Sequence, residues 1–336
     1  MSEVYKPTNI LVTGGLGFIA SNFIDYVLNN YENVSVLNID KISYCSNYKI
    51  NEYFNKFNNY KFLKLDIQNV DFIHSLLYDY NIDTILHFAA ETHVDNSFGN
   101  SLQFTYSNIL GTHTLLECCK IYNINYPGSL RKFIHISTDE VYGHIDYTTE
   151  GANENFLLNP TNPYAATKAS AEFIVKSYQH SFNFPSIIVR CNNIYGKNQF
   201  PEKIIPKFIN MLIDKQKLTI QGDGNNVRSY LHIDDFCEAF DIILKNGKLH
   251  EIYNIGTNIE TKNIDIANML IEKFQKLYPD DEFYRNKNEI ITYIEDRPFN
   301  DKRYFINYDK LKLLGWNGPN TNLSDGLDKT ISFFLE

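Results

Sequence analysis

The chain has 336 residues, of which 43% are hydrophobic and 21% are charged, and its formal net charge is −9. This composition is typical of a globular protein with a sizeable core, and the acidic balance argues against a general nucleic-acid binder. Five cysteines without regular spacing indicate neither a disulfide framework nor a zinc site, so we expect reduced thiols and no metal. No apolar run approaches the length of a membrane span, and no secretory leader precedes Ile10, which favours a cytoplasmic location.

Short apolar runs alternate with helical patterns along the first half of the chain. Buried strands are predicted at Asn9–Thr13, Val34–Ile39, Tyr60–Leu65, Thr84–Ala89, Lys132–Ser137 and Ser186–Arg190. Helices are predicted at Phe18–Asn30, at Phe72–Tyr80, at Asn108–Lys120 and from Pro163 to about His180. The alternation predicts an α/β fold, with a doubly wound parallel sheet that carries helices on both faces.

The alternation loosens beyond Asn198, where loops with turn residues such as Gln221–Asn226 appear. A further helix is predicted at Ile264–Lys276. We expect residues 1–198 to form the sheet domain and residues 199–336 to form mainly a smaller C-terminal substrate-binding lobe. Residues 229–256 are expected to return to the first domain.

A glycine turn separates the first predicted strand from the first predicted helix. Residues Thr13–Ala20 contain the spacing Gly-x-x-Gly-x-x-Ala, in which Gly14 permits the tight turn and Gly17 lets the backbone approach a pyrophosphate at the helix N-terminus. Asp40 follows the second strand, where a carboxylate accepts ribose hydroxyls and repels a 2′-phosphate. These features predict a Rossmann-type domain that binds NAD in preference to NADP.

A second group of polar residues lies where a reaction at a nicotinamide ring would need them. The segment Ser137–Glu140 follows a buried strand, and ligands bind at the carboxyl ends of strands in a doubly wound sheet. Tyr164 and Lys168 are four positions apart on a predicted helix and so share a face. Because a nearby ammonium lowers the pKa of a phenol, we expect Tyr164 to take a hydroxyl proton while a hydride leaves the same carbon.

With these motifs the chain resembles the extended short-chain dehydrogenases/reductases, and among them the nucleoside-diphosphate-glucose 4,6-dehydratases (the dTDP-glucose 4,6-dehydratase family). The resemblance covers nearly all of the chain, and Thr138-Asp139-Glu140 is its specific part. It is carried by Leu11–Ser21, Asp40-Lys41, Asp66-Ile67, His87–Asp95, His135–Gly143, Asn162–Lys168, Phe200–Pro206, Arg228–Tyr230 and Asp296–Pro298.

The resemblance implies a reaction that oxidises C4 of glucose, eliminates water across C5 and C6, and returns the hydride to C6. It implies that Glu140 is the C5 base, that Asp139 is the C6 acid and that Thr138 hydrogen-bonds the C4 oxygen beside Tyr164. The product would be a 4-keto-6-deoxy sugar for rhamnose-type biosynthesis. Two adjacent carboxyl groups that face one ligand should have different pKa values, which suits one acid and one base.

The resemblance also implies two sets of ligand contacts. Those to NAD are Gly14, Gly17, Phe18, Ile19, Asp40, Lys41, Ser43, Asp66, Ile67, Phe88, Ala89, Ala90, Ser107, Tyr164 and Lys168. Those to the sugar nucleotide are Thr92, Thr138, Asn193, Lys203, Arg228, Asn263, Arg297 and Asn300. Among these, Arg228 and Arg297 are expected to bind the diphosphate, since guanidinium groups pair with phosphate bidentately.

Two departures from the common bacterial dTDP-glucose pattern bear on the nucleotide. Phe299-Asn300-Asp301 stands where that pattern has Gly-His-Asp, and Asn192-Asn193-Ile194 stands where it tends to have Ser-Asn-Asn. Together with Tyr44–Asn47, these segments look like the UDP-glucose 4,6-dehydratase domain of plant UDP-rhamnose synthases. UDP-glucose is therefore favoured over dTDP-glucose as the substrate, although a single methyl group gives an apolar pocket little to discriminate.

Two other functions stay open on the same scaffold. A nucleotide-sugar 4-epimerase or decarboxylase would also oxidise C4 but would need no C6 acid, so Asp139 discriminates against it. A catalytically silent NAD- or sugar-nucleotide-binding module would have no need for the full set of catalytic residues. The resemblance further implies a homodimer that packs through helices such as Asn108–Lys120 and Tyr164–His180.

Overall fold

The computed structural model describes residues 4–336, and its largest element is a seven-stranded parallel sheet. The strands lie at Asn9–Thr13 (β1), Ser35–Asp40 (β2), Tyr60–Lys64 (β3), Thr84–His87 (β4), Lys132–Thr138 (β5), Ser186–Cys191 (β6), Asn193–Tyr195 (β7), Leu218–Gln221 (β8), Val227–His232 (β9), Ile252–Ile255 (β10), Glu260–Lys262 (β11) and Ile291–Ile294 (β12). The order in the main sheet is β10-β6-β5-β4-β1-β2-β3.

The helices connect these strands and cover the sheet. They lie at Phe18–Asn30 (α1), Lys49–Phe54 (α2), Val70–Asp79 (α3), Val94–Gly99 (α4), Ser101–Phe104 (α5), Gly111–Asn125 (α6), Pro163–Phe182 (α7), Ile204–Ile213 (α8), Ile233–Asn246 (α9), Asn263–Leu277 (α10), Glu282–Arg285 (α11), Lys287–Ile290 (α12), Asp309–Lys312 (α13) and Leu323–Leu335 (α14). In the described residues, no helix is both long enough and apolar enough to cross a lipid bilayer.

Alternation along the strands divides the core between the two faces of the sheet. Ile10 and Val12 of β1 pack into a cluster that includes Phe23 of α1 and Phe240 of α9. Leu11, between them, faces the opposite side and packs into a second cluster, built with side chains of α3, α6 and α7. Successive strand residues point to opposite faces, so a fully buried strand contributes side chains to both hydrophobic clusters. The predicted doubly wound parallel sheet is confirmed.

The topology reverses between β1 and β4. From β1 the chain builds outward through β2 and β3, and it then returns to β4 on the other side of β1. A crevice opens outside the carboxyl ends of strands at such a switch point, and this is where open α/β sheets bind their ligands. The glycine turn after β1 and the polar end of β5 both lie at this edge.

The second half of the chain forms smaller sheets beside this edge. β9 pairs with β7 and β11 in a three-stranded sheet, while β8 pairs with β12. Residues 229–256 are expected to return to the sheet domain. Within them, β10 joins the main sheet and α9 packs against α1, whereas β9 lies in the three-stranded sheet. The division at residue 198 stays a prediction.

The helix predicted at Asn108–Lys120 begins differently. A π-helical turn occupies Thr105–Leu110, and the regular helix follows it as α6. Within the turn, the Asn108 side chain exchanges two hydrogen bonds with the backbone of Glu91, at 2.8 and 3.0 Å, and donates a third to Thr167. These contacts fix the turn against the loop that follows β4, and π turns of this kind are frequent at functional sites.

Candidate active site

One cavity of about 440 Å³ lies at the carboxyl edge of the main sheet and extends towards β8, β9 and α8. Every residue predicted to contact NAD or the sugar nucleotide lines it, together with Glu140. Asp139 is the one predicted site residue that does not line it. Positions as far apart in sequence as Gly14 and Asn300 are thus brought to a single space, as the resemblance implies.

The glycine turn is closed against the neighbouring strand. Gly14 has φ +70°, and a Cβ added there would lie 2.7 Å from the Cα of Ala89, so only glycine fits. Gly17 is the N-cap of α1 and offers no side chain to its first turn. The N-terminal amides of α1 therefore have no capping side chain, which suits an anionic ligand such as a pyrophosphate.

Asp40 ties the turn to the loop that follows β2. One carboxylate oxygen accepts a 3.1 Å hydrogen bond from the backbone of Leu16, and the other accepts from the backbone of Ile42 and the hydroxyl of Ser46, at 2.7 and 3.0 Å. Ile42 has φ +63°, a strained conformation for a β-branched residue. The carboxylate thus stabilises an unusual loop at the place where a ribose is expected.

Asp139 is buried at the end of β5, with a side chain 2% exposed. Its carboxylate accepts hydrogen bonds from Asn192, at 2.8 Å, and from Thr138, at 3.3 Å. Its pKa is raised to about 7, chiefly by burial and then by the neighbouring Glu140, while these hydrogen bonds and Arg228 oppose the rise. A carboxyl group with this pKa is half protonated near neutrality, which is the property a general acid needs.

Glu140 lies in the 3₁₀ turn Asp139–Tyr142 that follows β5, and it does face the cavity. One of its carboxylate oxygens accepts a hydrogen bond from Asn162 at 3.1 Å and has the hydroxyl of Tyr304 at 3.4 Å. Asn162 is also the N-cap of α7, where it accepts from the backbone of Ala165 at 2.8 Å. The start of α7 and the orientation of Glu140 are therefore fixed by one side chain.

Tyr164 and Lys168 are both buried on α7. Lys168 donates a 2.6 Å hydrogen bond to the carbonyl of Ile136, and burial lowers its pKa to about 8 although Glu172 opposes this. The pKa of the Tyr164 phenol is raised well above its ordinary value, first by burial and then by the carboxylate of Glu140. The prediction that Lys168 lowers this pKa is wrong for the protein alone, because burial and a near carboxylate dominate at the phenol.

The two predicted diphosphate ligands meet at one amide. Arg228 and Arg297 both donate to the side-chain oxygen of Asn300, Arg228 at 2.9 Å. Arg297 also reaches Asp95 at 3.5 Å. Two guanidinium groups thus converge on one neutral acceptor at the cavity, an arrangement that suits bidentate binding of a diphosphate.

Sequence reasoning assigned no role to several residues of this site. Asn162 had a usable signal, because Asn before Pro163 is a typical N-cap followed by proline at the first helical position. Asn192 was noticed only as a departure from a pattern. Tyr304 had no local signal, since 164 positions separate it from Glu140.

The sequence of the chain is similar to those of known sugar-nucleotide 4,6-dehydratases. A family model described as GDP-mannose 4,6 dehydratase matches residues 11–330. The trifunctional UDP-glucose 4,6-dehydratase/UDP-4-keto-6-deoxy-D-glucose 3,5-epimerase/UDP-4-keto-L-rhamnose-reductase of Arabidopsis thaliana is 49% identical over 333 residues, which are 99% of this chain and 48% of the relative. The chain spans about half the length of relatives of this trifunctional kind.

Solved structures share the whole fold. The dTDP-glucose 4,6-dehydratase of Bacillus anthracis, in complex with NAD, is 35% identical with a TM-score of 0.85, over 98% of this chain and 96% of that one. The UDP-glucose 4-epimerase of Thermotoga maritima, with UDP-glucose, is 26% identical with a TM-score of 0.85, over 97% and 98%. This dehydratase and this epimerase have the same TM-score, so the side chains of the site must discriminate between the two activities.

Proposed function

Because the chain belongs to the GDP-mannose 4,6 dehydratase family, we propose that it is an NAD-dependent NDP-glucose 4,6-dehydratase. It would convert UDP-glucose or dTDP-glucose into the NDP-4-keto-6-deoxyglucose and water. The matched dehydratases in plants and in Bacillus anthracis support this assignment. The further activities of the longer trifunctional relatives are not assigned to this chain.

One observation carries the proposal. A buried acid, Asp139, with a pKa of about 7 adjoins a carboxylate, Glu140, that faces the cavity. Removing water from C5 and C6 of a 4-keto sugar needs a base for the C5 proton and an acid for the C6 hydroxyl. An epimerase needs no acid at C6, so an acid kept protonated by burial beside the base favours dehydration.

The residues around the glycine turn fit NAD. Gly14 leaves a cradle that a Cβ would fill, Gly17 leaves the first amides of α1 without a capping side chain, and Asp40 provides a carboxylate for ribose hydroxyls. The cofactor would be held by the cavity-lining residues predicted for it, from Gly14 to Lys168. A bound NAD would supply the hydride acceptor and donor, and its positive charge would lower the pKa of a phenol beside it.

The proton transfers fall to the side chains of the chain itself. Tyr164 takes the proton of the C4 hydroxyl, and Thr138 hydrogen-bonds that oxygen. Glu140 then removes the C5 proton, which the adjacent ketone has made acidic. Asp139 lies outside the cavity lining, so its carboxyl would have to turn towards the cavity to give its proton to the departing C6 hydroxyl and release water. When the hydride returns to C6, Glu140 gives a proton back to C5. The proton taken by Tyr164 passes to solvent, and solvent reprotonates Asp139, which its pKa of about 7 permits near neutral pH.

The substrate nucleotide is expected to lie against the second half of the chain. Arg228 and Arg297 would bind the diphosphate, and Lys203 and Asn263 would contact the nucleotide sugar. Lys203 donates to the carbonyl of Thr92 at 3.0 Å, and Asn263 accepts from Tyr230 at 3.1 Å, so both side chains are already oriented at the cavity. UDP-glucose stays the favoured donor.

We also propose that the protein is a homodimer and acts in the cytoplasm, in rhamnose-type sugar biosynthesis. Apolar side chains are exposed beside α6 and on α7, including Leu102 at 67%, Tyr106 at 54%, Phe173 at 58% and Phe182 at 52%. Exposed apolar groups on neighbouring helices are typical of a subunit interface. Light scattering tests this: a single species of twice the chain mass is expected, and a monomer at micromolar concentration contradicts it.

The activity is tested with purified protein, NAD and either UDP-glucose or dTDP-glucose in deuterated water, with products followed by NMR. A 4-keto-6-deoxy sugar with deuterium at C5 is expected, and the faster donor identifies the nucleotide. A product that retains its C6 hydroxyl and is inverted at C4 would assign the chain as an epimerase. No change with either donor would contradict the proposal.

A further inference from the structure

Tyr304 lies at the centre of a buried polar cluster next to Glu140. Its side chain is 2% exposed, and its hydroxyl donates a 2.6 Å hydrogen bond to Asp301, which is 3% exposed. Thr161 donates to the same carboxylate oxygen of Asp301. The other carboxylate oxygen of Asp301 is buried and has no hydrogen-bond partner in the described residues. Burying a carboxylate that is only half satisfied is costly, so such a group calls for an explanation.

We propose that Tyr304 is a positioning residue for the dehydration, with its hydroxyl holding the Glu140 carboxylate and its ring holding Arg228. The inference rests on the proposed function, because it assigns a role in a reaction at Glu140. Tyr304 would act through Glu140 and Arg228 and need not touch the sugar nucleotide.

The hydroxyl of Tyr304 lies between two carboxylates. It has a single proton, and its two acceptors are Asp301 at 2.6 Å and Glu140 at 3.4 Å. When it donates to Glu140 it stabilises the ionised base, and when it donates to Asp301 its lone pair faces Glu140 and suits the protonated form. One hydroxyl thus accommodates Glu140 before and after it takes the C5 proton.

The side chains of Asn162 and Tyr304 contact the same carboxylate oxygen of Glu140. Asn162 donates to that oxygen at 3.1 Å, and Tyr304 lies on it at 3.4 Å. The second oxygen has no such contact within the described chain, and Glu140 lines the cavity. The arrangement therefore fixes one oxygen and leaves the other for the proton of the sugar.

The ring of Tyr304 reaches the proposed diphosphate site. The guanidinium carbon of Arg228 lies 4.5 Å from the ring centroid, and Arg228 also donates to Asn300 at 2.9 Å. A guanidinium over an aromatic face is stabilised electrostatically and is held in one plane. Asn300, Asp301 and Tyr304 belong to one short segment, so this segment connects the diphosphate ligand to the base.

Two substitutions separate the two roles. Tyr304→Phe keeps the ring and removes the hydroxyl, so we expect kcat and the rate of C5 hydrogen exchange to fall about 10- to 100-fold with KM within about twofold, as for loss of a hydrogen bond to a charged group. Tyr304→Leu removes both, so KM and the dissociation constant for UDP or dTDP should also rise by about fivefold or more. Tyr284→Phe is the matched control, because its buried hydroxyl donates to the carbonyl of Leu212 at 2.6 Å in another part of the core.

A merely structural role for Tyr304 predicts a different result. Tyr304→Phe would then lower the unfolding midpoint as Tyr284→Phe does and leave kcat and C5 exchange unchanged, and this outcome overturns the inference. If Tyr304→Phe does not fold, as judged by circular dichroism, Thr161→Val provides the test. It leaves Tyr304 as the donor to Asp301 and draws the hydroxyl from Glu140, so C5 exchange should slow several-fold, and unchanged exchange overturns the inference.

Turnover by the wild-type protein separates failure of the proposed function from failure of the role of Tyr304. If it turns over neither donor, the proposed function fails and the role of Tyr304 in it fails too. If it forms the 4-keto-6-deoxy sugar while Tyr304→Phe does so equally fast, only the inference about Tyr304 fails.

Discussion

Asn192 donates a 2.8 Å hydrogen bond to Asp139 from the wall of the cavity, while Asp139 itself lies behind that wall. The amide oxygen of Asn192 accepts from the backbone of Thr257 at 3.0 Å, so the orientation of the amide is fixed and its nitrogen faces the acid. The Gly256 position is part of this arrangement, because a Cβ there would lie 2.2 Å from the same amide oxygen. Asn192 is therefore held in one orientation, in which its amide nitrogen donates to the Asp139 carboxylate.

Removing this amide should move the pH dependence of the reaction. The hydrogen bond from Asn192 favours ionised Asp139 and so opposes the rise of its pKa to about 7. Asp139 must be protonated to act, so activity is lost as pH rises through that pKa. In Asn192→Ser the pKa should be higher, and the alkaline limb of the kcat/KM profile should move up by about one pH unit.

The other charged and titratable groups near Asp139 are present in both proteins. They are Glu140 and Arg228, with Tyr164 and Cys191 beside them. The matched control is Asn193→Ser on the neighbouring strand, which should leave the alkaline limb in place. An alkaline limb that does not move in Asn192→Ser would mean that another group sets it.

Asp139→Asn should separate the two halves of the elimination. The amide cannot protonate the C6 hydroxyl, so loss of water should slow about 10²- to 10⁴-fold while Glu140 continues to exchange the C5 hydrogen with solvent. NMR in deuterated water measures both. Asp79→Asn, an exposed change at the end of α3, is the control. Normal water loss in Asp139→Asn would show that the acid lies elsewhere.

Gly14→Ala should weaken the binding of NAD. The added Cβ would lie 2.7 Å from the backbone of Ala89, which forces the ends of β1 and β4 apart at the place of the pyrophosphate. We expect at least about a 10-fold weaker affinity by calorimetric titration, together with lower stability. Gly128→Ala is the matched control, since Gly128 also has a positive φ, +81°, but a Cβ there meets nothing within 4 Å. Equal effects of the two changes would assign the loss to backbone strain alone.

Glu172→Gln should destabilise the fold strongly. Glu172 and Arg190 form an ion pair in which both side chains are 0% exposed, and neutralising one partner leaves the other charge buried. The free energy of unfolding should fall by about 3–5 kcal/mol in urea. Lys329→Gln breaks a pair with Asp234 in which both side chains are 55% exposed and should change it by about 1 kcal/mol or less. Similar effects of the two changes would contradict this account of the buried pair.

The parts of the fold that follow from local periodicity were predicted closely. The bounds of β1 and α1 are those expected from the sequence, because both depend on hydrophobic spacing and on the glycine turn between them. The similarity to NDP-glucose 4,6-dehydratases, including the plant UDP-glucose enzymes, is confirmed by the relatives. Their motifs consist of short runs that can be read without a structure.

What the sequence did not provide depends on contacts between distant segments. Spacing on a helix placed Lys168 beside Tyr164, but only the structure shows that burial and Glu140 raise the pKa of the phenol. Likewise, Tyr304 reaches Glu140 because β5 and the segment near residue 300 meet at the cavity. The placement of Asp139 behind Asn192 has the same origin.

The return of β10 to the main sheet also limits how the molecule can be divided. β10 occupies the edge beside β6, although β7, β8 and β9 lie between them in the chain and belong to the smaller sheets. A fragment that stops at residue 198 would leave β6 as an open edge, which invites pairing with other chains. Thermal unfolding of the whole chain should then follow a single cooperative transition, because neither half can complete its sheet without the other.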